Sequence, residues 1–255
     1  MEDRTVEGRT VEGRTALLDA VHASAARFAA CVSALTETQA RGPSALPGWS
    51  RAHVVTHVAR SADVYTWLLV LARTGTEPGP RADGATLERL LGEGAGRDAP
   101  ALAADLRASL DRLLDEASAM PAGRWSVLVT ALAGWKHPAW YTLHRARREL
   151  EVHHTDLALG RTPADWSAGF VAGALEETVA ALAECGFPVG RFEAVDLGRA
   201  WTVAQTGQTG QTAPAPTASG PGHALLAWLA GRGPAPDPGL PAPPPWPQPP
   251  VPGWG

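Results

Sequence analysis

Residues 145–166 form the segment RARRELEVHHTDLALGRTPADW. Glu149 and His153 stand four residues apart, so on a helix they project from one face. Leu150, Val152 and Leu157 surround them with apolar side chains, and ionisable groups in such a setting need partners. The pattern predicts a long helix from about 138 to 159, with Gly160 as its C-cap. An E-x-x-x-H pair is also common as a plain surface contact between neighbouring turns, so the spacing alone leaves both outcomes open.

Working outward, Ser50 is a suitable N-cap for a second helix over about 51–73. That helix carries Val54, His57, Val58, Ser61, Val64, Tyr65 and Leu68 on or near one face. His57 therefore lies in an apolar context like that of Glu149 and His153. Two imidazoles and one carboxylate from facing helices suit a tetrahedral zinc ion with one position left open, the arrangement used in catalysis. His53, one turn before His57, is a candidate cofactor or supporting contact. Trp49, Trp135 and Trp140 flank the two helices and are candidate pocket walls, with Trp49 a possible cofactor contact. Asp156 is placed either to orient a ligand histidine or to cap the helix end. Arg145 shares the helical phase of Glu149 and is the candidate to bind a substrate carboxylate.

Further amphipathic stretches lie at about 16–40, with Leu17, Val21, Ala25, Phe28 and Val32 in step, at 85–93, and at 99–118, with Leu102, Leu106, Leu110 and Leu113. Four main helices of this kind describe a bundle over 16–164. The tandem VEGRT repeat makes residues 1–15 an expected disordered tail. The pattern changes near Pro163: a helix at 167–185, alternating residues at 191–204 and a short helix in HALLAWLAGRG predict a small α/β domain over 165–255. Within it, 205–222 is expected to be a low-complexity loop, and the proline-rich end an extended tail. The fold class is mostly α, and α+β overall.

The bulk properties narrow the partners. With 22 Lys and Arg against 26 Asp and Glu, the net charge is −4, which argues against a nucleic-acid or anionic-membrane surface. No apolar run is long enough to span a bilayer, and the polar N-terminus lacks a secretory h-region. Two cysteines, Cys31 and Cys185, make no disulfide framework. A cytoplasmic location with reduced thiols follows as the expectation, with neither cysteine catalytic. No phosphate-binding glycine loop, G-x-S-x-G elbow or C-x-x-C motif is present. Arginine supplies all the basic residues but Lys136, a bias compatible with a high-GC, actinobacterial genome.

LPGWSRAHVVTHVARSAD (Leu46–Asp63), RARRELEVHHTDLALGRTPADW (Arg145–Trp166) and HALLAWLAGRG (His223–Gly233) together resemble the mycothiol-dependent maleylpyruvate isomerase family. The resemblance implies a DinB-like metal-binding four-helix bundle followed by a small α/β domain. It implies zinc or another divalent metal on His57, Glu149 and His153, with mycothiol as the thiol cofactor. The implied partners are a small electrophilic substrate and that thiol, acting on a monomer or weak homodimer.

Three functions are compatible with these expectations. A metal-activated thiolate can isomerise maleylpyruvate or a similar cis-enone diacid by reversible addition to its double bond. The same thiolate can be transferred to an electrophilic toxin or natural-product intermediate. Alternatively, the bundle is a non-catalytic, metal-stabilised binding protein. The fold constrains the cofactor more tightly than the substrate.

Overall fold

The structure, a computed structural model, describes residues 10–203 and 215–249. The expected tail up to residue 9, the repeats at 204–214 and the end of the proline-rich segment lie outside these residues. The chain divides into two compact units between Arg161 and Thr162, where the sequence placed the division after 164.

The first unit contains α1 (Val11–Ser33), α2 (Glu37–Arg41), α3 (Arg51–Thr74), α4 (Gly84–Ala95), α5 (Ala99–Ser118), a hairpin of β1 (Leu128–Thr130) and β2 (Lys136–Pro138), and α6 (Tyr141–Asp156). Helix α1 packs on α5 and α6, and α3 packs on the same two, which closes a four-helix bundle; α4 lies against α3. The apolar stripes meet at its centre. Leu17, Val21, Phe28, Val54, Val55, Leu68, Leu102, Leu106, Leu113, Leu143 and Leu150 are all buried.

Local capping decides where the helices begin. Ser50 and His53 form a reciprocal capping box at the start of α3. Helix α1 starts at Val11, not at the expected Ala16, because the Thr10 hydroxyl accepts from the Gly13 amide; part of the VEGRT repeat is therefore helical. The expected single helix over 16–40 is two, since Thr36 and Gln39 form a capping box that starts α2 afresh. Helix α6 is also shorter than expected. It ends at Asp156, and Ala158 takes the left-handed conformation at φ 53°, a turn more usual for glycine.

Helices α3 and α6 run antiparallel in a register fixed by polar contacts. At one end, Arg51 Nε donates to the Leu157 carbonyl at 2.6 Å and Arg51 Nη2 to that of Ala158 at 3.3 Å, in the turn that follows α6. In the middle, His57 meets Glu149. Further along, Tyr65 lies beneath Arg145.

The second unit contains α7 (Ala168–Glu184), β3 (Arg191–Ala194), β4 (Arg199–Thr202), β5 (Thr217–Gly220) and α8 (Gly222–Leu229). Strand β3 is central, antiparallel to β4 and parallel to β5. Phe192 and Ala218, both buried, are paired across the parallel ladder. The expected loop over 205–222 thus contains a strand at 217–220 and the start of α8. Asp196 Oδ1 accepts from the Gly222 amide at 2.6 Å and anchors that start. Helix α8 packs on α7 and brings Trp228 against Phe187 and Phe192. Among the described residues, no helix is long and apolar enough to cross a membrane.

Candidate metal centre

The α3–α6 register brings His57, Glu149 and His153 together, with their donor atoms all within 4.8 Å of one another. Glu149 Oε2 is 3.1 Å from His57 Nε2 and 3.2 Å from His153 Nε2. Donors around a tetrahedral cation with bonds of 2.0–2.1 Å are separated by about 3.3 Å, so the spacing and the chemistry of the set both fit a divalent metal such as zinc. Three donors leave a coordination position for a further ligand.

Supporting contacts orient these donors. His153 Nδ1 is 2.9 Å from Asp156 Oδ2. An Nδ1–H donated to that carboxylate turns the Nε2 lone pair toward the centre. Tyr65 donates its hydroxyl to Glu149 Oε1 at 3.1 Å, leaving Oε2 to face the imidazoles. Trp49 lies 5.5 Å from the His57 ring, and the His57 and His153 rings are 4.7 Å apart, edge to face.

The electrostatics follow from burial and these contacts. Burial pushes the Glu149 carboxyl up, but the hydrogen bonds and charges of His153 and His57 outweigh it and hold the group well below the usual carboxylate range. Burial works against a charged His153, yet its bonds to Asp156 and Glu149 raise it to about 9. The buried Asp156 carboxylate and the partly buried Glu149 carboxylate thus call for positive charge at this point, the demand that a divalent cation meets. Tyr65 is pushed upward by burial and by Glu149, so it remains a hydroxyl donor.

The other sequence candidates fall around this centre. Arg145 is clamped between the rings of Tyr65 and Trp135, its Cζ 4.8 and 5.0 Å from their centroids. His53 directs Nδ1 to the Ser50 amide and hydroxyl; the structure gives it a capping role and leaves it outside the donor set. Trp140 is buried against Tyr141 and His144. Three residues at the site were not singled out from the sequence. Tyr65 was assigned only to the inner face of its helix, although its position two turns beyond His57 was a usable signal. His137, from β2, offers Nε2 to Arg145 at 3.2 Å while Nδ1 faces the Pro138 carbonyl at 2.9 Å. Arg81, in the loop before α4, carries no local signal.

Fold and donor set together define a class: a four-helix bundle presenting a His–Glu–His constellation between two facing antiparallel helices. The family model of the mycothiol maleylpyruvate isomerase N-terminal domain matches residues 21–158, more than half of the chain, and the chain belongs to that family. Its fold is similar to the crystal structure of the mycothiol-dependent maleylpyruvate isomerase, with a TM-score of 0.80 and 22% identity over 91% of this chain and 97% of that one. A histidine-to-alanine mutant of that isomerase gives 0.79 and 21% with the same coverage. No curated protein matches the chain in sequence.

Proposed function

We propose that the protein is a zinc- and mycothiol-dependent isomerase of the maleylpyruvate cis–trans type. The observation that carries this reading is the convergence of His57, Glu149 and His153 with an open coordination position, in a family whose solved relative is named for that reaction. When bound, the metal would lower the pKa of a thiol and supply a thiolate at neutral pH, whose reversible addition to an electron-poor double bond leaves a single bond free to rotate.

The chain's own residues supply the rest. His57 and His153 hold the cation as neutral donors and Glu149 as a carboxylate. Asp156 fixes the His153 tautomer. Arg145, made rigid by the two aromatic rings, binds a substrate carboxylate and so fixes the double bond relative to the centre. Trp49 forms a wall beside His57 and limits water access. The soluble partners are a small acid and a low-molecular-weight thiol.

The test is metal analysis of the wild type beside His57→Ala and His153→Ala, followed by a maleylpyruvate assay with mycothiol. About one zinc per chain is expected in the wild type, little in either variant, and turnover only in the wild type with thiol added. Thiol-independent turnover, or full zinc in both variants, would refute the proposal.

A further inference from the structure

Arg145 and Arg81 are among the arginines whose buried nitrogens have no acceptor. In Arg145 the atom is Nε, and in Arg81 they are Nε and Nη2. Buried donors are almost always paired, and leaving one unpaired is destabilising. Both groups are nevertheless held in place. Arg145 is sandwiched between Tyr65 and Trp135. Arg81 lies over Trp67, 5.2 Å from its ring centroid. The Trp67 indole in turn donates to the Gly79 carbonyl at 3.0 Å, which ties down the loop that carries Arg81. Arginines stacked in this way keep their in-plane donors free for a planar anion.

No carboxylate of the described residues forms an ion pair with either group. Glu77 is the acidic side chain whose charge reaches Arg81, and it makes no ion pair with it. The neighbouring polar group, His137, adds no negative charge. Burial holds it down to about 4, and the charges of Arg145, Arg148 and Arg81 act in the same direction. It stays neutral and accepts from Arg145. The charges of Arg145 and Arg81 reach one another, neither is held in an ion pair, and an anion bridging both would relieve their repulsion.

We infer that Arg81 and Arg145 form a paired cradle for an acid carrying two carboxylates, with Arg81 the residue that selects a diacid over a monoacid. This rests on the reading of Arg145 as the substrate contact and extends it to a second specificity residue. Arg145, one turn from Glu149, takes the carboxylate nearer the metal centre, and Arg81 takes the other.

The experiment is calorimetric titration of the full-length, zinc-loaded protein with maleate, a cis-diacid, and with acrylate, a monoacid containing the same kind of double bond, with no thiol present. Maleate is expected to bind the wild type more tightly than acrylate. Arg81→Gln should weaken maleate at least tenfold and acrylate less than twofold, while Arg145→Gln should weaken both. Arg89→Gln, on the exposed face of α4, serves as the control. Should Arg81→Gln fail to fold, as judged by circular dichroism, Arg81→Lys retains the charge without the planar fork and should still lose most of the preference for the diacid.

Maleate affinity in the Arg81 variants that matches the wild type within twofold overturns the inference, as does a wild type that binds the two acids equally or binds neither. Because the titration contains no thiol, Arg81-dependent maleate binding beside absent isomerase turnover refutes only the proposed reaction. Turnover without the diacid preference refutes only the cradle.

Discussion

His153 and Asp156 are joined within one turn of α6 by a 2.9 Å contact between Nδ1 and Oδ2, and the Asp156 carboxylate is almost fully buried. The pair sets which ring nitrogen faces Glu149 and His57. Partners of this kind contribute about 10- to 100-fold to metal affinity. Asp156→Asn keeps an acceptor but removes the charge and should weaken zinc about tenfold, whereas Asp156→Ala should approach a hundredfold. Competition against a chromogenic chelator measures both. Undiminished affinity in Asp156→Ala would show that the contact does not orient His153 for metal binding.

Tyr65→Phe removes only the hydroxyl donated to Glu149 Oε1. The ring that supports Arg145 remains. Zinc affinity should fall by about tenfold, with little change in the binding of small carboxylates. A variant whose zinc affinity is intact but whose anion binding is lost would reverse the roles assigned to the hydroxyl and the ring.

His137 supplies a pH dependence away from the donor atoms. Its fully buried ring is held down to about 4, chiefly by burial, against an ordinary 6.5. Between those values the unfolded chain takes up a proton that the folded chain refuses. The contribution of His137 should therefore be complete above about pH 6.5 and fall by up to about 3 kcal/mol as the pH drops toward 4. His137→Gln leaves an acceptor for Arg145 but cannot titrate. Urea unfolding at pH 7 and 4.5 should show the wild type losing more stability than the variant, and equal losses would count against the argument.

Ala158 sits in the left-handed region immediately after α6. That conformation costs a residue with a Cβ about 1–2 kcal/mol, and glycine recovers it less an entropic cost of about 0.5–1 kcal/mol. Ala158→Gly should thus stabilise the protein by up to about 1 kcal/mol, visible as a rise in Tm. A fall in Tm would mean that the Ala158 methyl contributes packing that outweighs the backbone strain.

Much of the centre was legible in the sequence because helical spacing and capping are local. Glu149 and His153 share a face by period alone, and Ser50 marks where the helix bearing His57 begins. What stayed hidden depends on tertiary closure. Arg81 and His137 reach the site from a loop and a short hairpin strand, and nothing in their neighbours announces a shared destination. Strand β5, TASG, has the composition of a loop and is a strand only because β3 offers it a parallel partner. In the turn after α6, Arg51, distant in sequence, takes up the carbonyls of Leu157 and Ala158, a contact that no local pattern encodes.

The antiparallel seam between α3 and α6 draws its donors from opposite ends of the bundle sequence, His57 on one helix and Glu149 and His153 on the other. An unfolded chain holds them too far apart to share an ion, so a bound cation would act as a clasp across the seam. At a hundred times its dissociation constant it would add about 2.7 kcal/mol to folding. Chelation should then loosen the whole bundle as well as silence the chemistry, and any lesion that shifts one helix along the other should appear first as escaping metal.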